Sequence, residues 1–112
     1  MYLLFAILTA QAQPERHALV VGANIGQGPN EDLLYAERDA DRVSELLVEL
    51  GDFAPDHLQL LRQPTRAELT ASFDALADQV DPDDFFLFYY SGHADGSGLQ
   101  LGDERISYAD LR

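Results

Sequence analysis

The sequence predicts an α/β fold with a mostly parallel sheet, and three observations carry that expectation. Phe85 to Tyr90 are six consecutive large apolar or aromatic residues, and a run without polar alternation marks a strand covered on both faces. Two shorter apolar runs, His17 to Gly22 and His57 to Leu61, are each followed by a stretch of helical periodicity. Turn-forming Gly, Pro, Asn and Asp separate these elements. Strand alternating with helix is the pattern of parallel strands joined by helical crossovers.

The first strand, His17-Ala18-Leu19-Val20-Val21-Gly22, ends at glycine and runs into a loop from Ala23 to Asp32. From Leu33 to Leu50, the residues Ala36, Ala40, Val43, Leu47 and Leu50 recur at helical steps and draw one apolar face. Gly51 follows as the stop. After the second strand, Thr65-Arg66-Ala67-Glu68 is a capping box, and Leu69, Phe73, Leu76 and Val80 share one face of the helix it starts. Asp81-Pro82-Asp83 breaks that helix before the long apolar strand. Gly98 to Asp103 reads as half of a small hairpin, and Ser107-Tyr108-Ala109-Asp110 as another helix start with an acid in its first turn. The order is β-α-β-α-β-hairpin-(α), with Arg112 expected about one turn into that last helix and the sheet expected to be cut short there.

The 112 residues fit one domain at most, and a hydrophobic fraction of 46% suffices for a core. A net charge of -13 arises from 20 acidic residues against seven arginines and no lysine. Such a surface disfavours nucleic acid and anionic membranes and attracts basic peptides. The chain has no cysteine, which removes disulfides, thiolate metal sites and a cysteine nucleophile from these residues. His17, His57 and His93 lie far apart, without the i, i+4 spacing of a helical metal pair, so no metal site is expected. Residues 1–13 carry an apolar run and then Ala10-Gln11-Ala12, similar to a signal-peptidase site. They predict an export signal shortened at its front, and the run is too short to span a bilayer as a helix. A periplasmic or secreted location follows if the signal operates, and a cytoplasmic one otherwise.

His93 lies at the carboxyl end of the long apolar strand, where open α/β sheets gather ligands and catalytic groups. The buried strand would hold its turn rigidly, and small Ser91 and Gly92 would leave a substrate room to approach. An imidazole titrates near neutrality and serves as general acid or base. Ala94 is small, so its amide is a candidate oxyanion donor. Asp95 is a candidate to orient the ring, set against the ordinary reading of a solvated loop acid.

Tyr89-Tyr90-Ser91-Gly92-His93-Ala94-Asp95 closely resembles the catalytic-histidine segment of the caspase-like cysteine peptidases, particularly the bacterial, metacaspase-related group. Ala18 to Asn24 resembles that family's first strand and Gly-x-Asn turn, Leu34 to Ala40 the start of its first long helix, and Leu99 to Asp103 the segment after the histidine. The resemblance covers residues 16–112, with every element in order. It implies a caspase-like three-layer αβα sandwich with a mostly parallel sheet, truncated before the cysteine-bearing strand.

The resemblance also implies cysteine endopeptidase activity on peptide or protein substrates, with no cofactor and with calcium dependence left open. His93 then matches the catalytic histidine and Ala94 the oxyanion-hole amide, where many members have glycine. Asp39 matches an acid that lines the pocket for a basic side chain before the scissile bond, set against an acid placed for the helix dipole. The loop after the first strand has no arginine of the kind aspartate-specific animal caspases use, so cleavage after basic residues is expected. The nucleophile would follow the next buried strand, about 50 residues beyond the histidine. The sequence ends 19 residues after His93, so these residues alone are expected to be inactive. Two other readings stay open here: a non-catalytic caspase-like module that binds peptides or scaffolds partners, and a flavodoxin-like domain binding an anion. The acidic loop after Gly22-Ala23-Asn24 argues against the anion. Oligomeric state is not legible.

Overall fold

The computed structural model describes residues 14–26 and 31–111; the expected export signal, residues 1–13, lies outside them. Seven elements follow the expected order: β1 (Arg16–Gly22), α1 (Ala36–Glu49), β2 (Leu58–Arg62), α2 (Arg66–Gln79), β3 (Phe85–Ser91), β4 (Gly98–Leu101) and β5 (Glu104–Ser107). Strands β1 to β3 form a parallel sheet in the order β2-β1-β3, and β4 and β5 an antiparallel hairpin.

The alternation of side chains along β1 builds the layers. Ala18 and Val20 face α1, where Ala40, Val43, Leu47 and Phe53 join them. Leu19 and Val21 face the other way, into a cluster with Leu69 and Leu76 of α2 and with Leu99, Leu101 and Ile106 of the hairpin. The sheet therefore lies between α1 on one side and α2 with the hairpin on the other. This is the three-layer α/β arrangement, with the core centred on β1. No helix among the described residues is long and apolar enough to cross a membrane.

Three local expectations change. The strand covered on both faces is β1, whose Ala18 to Val21 are fully buried. β3 pairs with β1 alone among the described residues, and its Phe85 and Phe86 are exposed. Helix α1 does not use Leu33 or Leu50: it begins at Ala36, and Leu50, its C-cap, is exposed. Gly51 stops the helix by lack of bulk, since a Cβ there would lie 2.8 Å from the Leu47 carbonyl; the left-handed turn falls on Asp52, with φ 62°. Finally, His57 belongs to a short 3-10 turn, Pro55–His57, that precedes β2.

Other signals hold. The Thr65 hydroxyl accepts from the Glu68 amide at 3.1 Å and starts α2. Gly102 takes the left-handed conformation, φ +64°, that closes the β4–β5 hairpin. The helix start expected at Ser107 is only a turn among the described residues, although the Ser107 hydroxyl does accept from the Asp110 amide at 3.2 Å.

Candidate active site

The register aligns the carboxyl ends of the three parallel strands, with Gly22 opposite both Arg62 and Ser91. Backbone bonds extend that alignment by one residue: Gln63 N–H donates to the Gly22 carbonyl at 2.7 Å, and Ala23 N–H to that of Ser91 at 2.9 Å. Immediately beyond stand Asn24 and His93. Helix α1 starts against the same edge, because a Cβ on Gly22 would come within 2.6 Å of the Glu37 Cα. Asn24 Oδ1 accepts from the Glu37 amide at 3.0 Å. It caps α1 from a distance, since Tyr35 at the N-cap makes no side-chain cap bond.

The turn that presents His93 is fastened through its backbone. The His93 carbonyl accepts from Gln100 N–H at 2.9 Å and from the Tyr90 hydroxyl at 2.7 Å. The Tyr90 oxygen also lies 2.5 Å from the Gln100 carbonyl. Burial pushes the Tyr90 phenol up to about 12, so it stays a donor at neutral pH. Gly92 leaves room for this tyrosine as well as for any substrate: a Cβ there would lie 2.7 Å from Tyr90 Cζ and 3.0 Å from the Ala23 carbonyl.

The imidazole itself is partly exposed, and His93 Nε2 sits 2.6 Å from the backbone carbonyl of Glu31. A carbonyl only accepts, so Nε2 carries the proton and Nδ1 is left as the basic nitrogen. Ala94 pairs with Leu99 through an isolated antiparallel bridge whose hydrogen bonds run through the flanking residues, Gln100 to His93 and Asp95 to Gly98. The Ala94 amide therefore points away from β4 and has no partner among the described residues.

Asp95 does not orient the imidazole. Its carboxylate accepts from Ser97 N–H and Oγ–H, both at 2.8 Å, and from Arg105 Nη2 at 2.5 Å. The Arg105 bond and those from Ser97 hold its carboxyl well below the usual range. Asp39 is exposed in the first turn of α1, on the same edge of the sheet as His93, and has no ion pair among the described residues. The nearby Asp41 pairs with Arg62 at 2.7 Å. The sequence offered no sign of Glu31, whose contribution is a backbone carbonyl. Tyr90 did leave a trace, since a tyrosine closing an apolar strand needs a partner for its hydroxyl.

Residues 15–110 match the family model described as the caspase domain of peptidases. The chain belongs to the caspase-domain peptidase family. Among relatives, metacaspase-1 of Scheffersomyces stipitis is 29% identical over 104 residues, covering 86% of this chain and 26% of that protein. Metacaspase-1 of Pyricularia oryzae is 27% identical over 115 residues, 96% of this chain and 29% of that protein. Metacaspase-1 of Mycosarcoma maydis is 31% identical over 104 residues, 86% of this chain and 25% of that protein. The chain thus spans about a quarter of the length of the curated relatives it matches. A caspase-domain chain with a three-layer α/β core agrees with the fold expected from the sequence.

Proposed function

We propose that this chain is the histidine-bearing part of a cysteine endopeptidase of the caspase and metacaspase type, with the nucleophilic cysteine supplied from outside these 112 residues. One observation carries the reading: a fastened turn at the carboxyl edge of the sheet presents an imidazole with a basic nitrogen beside a backbone amide the fold does not use. In this mechanism His93 Nδ1 takes the thiol proton as the sulfur attacks the peptide carbonyl carbon. The Glu31 carbonyl, hydrogen-bonded to Nε2–H, steadies the imidazolium that forms. The Ala94 amide donates to the developing oxyanion. His93 then returns the proton to the leaving amine, and afterwards takes one from the water that hydrolyses the thioester.

Asp39 is assigned to selection of a basic side chain, supported by its unpaired carboxylate on the His93 edge. The test is cleavage of fluorogenic peptides by the full-length protein. Arg and Lys peptides are cut by wild type, and His93→Ala lowers the rate by at least about a hundredfold. Asp39→Ala keeps activity but loses preference for the basic residue. An inactive wild type, or an active His93→Ala, sinks the peptidase reading; unchanged selectivity in Asp39→Ala removes the pocket role alone.

A further inference from the structure

At the opposite edge of the sheet, the same parallel register gathers a second constellation. Ala18 pairs with Leu58, so His17 meets His57 just before β2, and Arg16 pairs with Phe85, so Glu15 meets Asp84 just before β3. The two imidazoles stack with centroids 4.6 Å apart. Glu15 Oε2 lies 3.8 Å from His17 Nε2 and 3.6 Å from His57 Nε2, and the three donor atoms all fall within 4.8 Å of one another. Asp84 Oδ2 is 3.2 Å from His17 Nε2.

His17 shows that this is more than a set of surface charges. It is 2% exposed, next to the fully buried apolar Ala18 to Val21. Such a polar group costs stability where valine or leucine would pack without penalty. Its Nε2 is the atom aimed at Glu15 and Asp84.

We propose that Glu15, His17 and His57 bind a zinc-class divalent cation that clips the start of β1 to the turn before β2. Two imidazoles and a carboxylate suit Zn²⁺ and disfavour the harder Mg²⁺ and Ca²⁺. A tetrahedral ion bonded at about 2.0–2.1 Å holds its donors about 3.3 Å apart, which the observed spacings approach. His57 and Glu15 close the remainder, their side chains being 25% and 56% exposed. On binding, the His17 ring proton moves from Nε2 to Nδ1, and Nε2 exchanges its contact with Asp84 Oδ2 for the ion. A cavity of about 230 Å³ lined by Glu15, Asp52, Ala54 and His57 gives the ion access from solvent.

The test is calorimetric titration of the intact protein with Zn²⁺ alone, together with the visible absorption of Co²⁺ bound in its place. One ion should bind with tetrahedral Co²⁺ bands. His57→Ala and Glu15→Gln, neither at a buried position, should each weaken binding by about tenfold or more, while His93→Ala leaves it unchanged. Absence of saturable binding in wild type overturns the proposal. So does binding undiminished in both His57→Ala and Glu15→Gln, or binding lost only in His93→Ala.

Discussion

The Tyr90 hydroxyl reaches back over its own strand end to within 2.7 Å of the His93 carbonyl. It lies closer still to the Gln100 carbonyl, at 2.5 Å, and its single proton is shared between the two. A strand residue thereby fixes the turn it leads into, and Gly92 between them is the residue whose missing side chain permits the approach.

Tyr90→Phe keeps the ring in the cluster with Phe88 and Leu99 and deletes only this bond. Removing the donor costs the turn one side-chain hydrogen bond, a loss of about 0.5–1.5 kcal/mol. Urea unfolding should show a lowered midpoint, and the Gln100 amide, which donates to the His93 carbonyl, should exchange faster. An unchanged midpoint and exchange rate would mean the clamp does not hold the turn.

The same hydroxyl sets an alkaline limit. Its folded pKa of about 12 lies above the ordinary 10.0, because burial disfavours the phenolate. The neutral form is thus favoured by folding, and its contribution is complete below pH 10 and lost as pH rises towards 12. Wild-type stability should fall through that window more steeply than that of Tyr90→Phe. Parallel curves would refute the assignment.

Asp95 works in the opposite direction. Its folded carboxyl titrates below the ordinary 3.8, chiefly through Arg105. The stability it contributes is present above that value and disappears as pH falls further. Asp95→Asn should lower the melting temperature at neutral pH, with the gap from wild type closing below pH 3.8. A gap constant with pH would show that the pairing with Arg105 is not its source.

Asn24→Ala removes the side-chain acceptor of the Glu37 amide at the start of α1. Loss of an N-terminal cap costs about 0.5–2 kcal/mol. Because α1 packs on the central strand, the loss should appear in global unfolding, and an unchanged unfolding midpoint would exclude the capping role.

The class and order of elements were legible because they rest on local signals. Apolar runs, helical spacing and the Thr65 cap each act over a few residues, and Thr65 binds the Glu68 amide as its motif requires. The segment around His93 was also legible, since its residue types carry the family resemblance, and the caspase-domain match covers it. Asp95 misled, because adjacency in sequence does not say which way a carboxylate turns in a tight loop; here it turns to Ser97 and Arg105.

By itself the sequence determined an α/β chain of caspase-domain type with a histidine at the end of its third strand. Only the tertiary structure showed that β1 pairs with both β2 and β3 and that its Ala18 to Val21 are fully buried. It also supplied Glu31 to His93, through a backbone carbonyl 62 positions away that no side-chain pattern encodes. His17, His57 and Glu15 met for the same reason. Parallel pairing aligns the ends of strands that are distant in sequence, so groups with no local relationship share an edge.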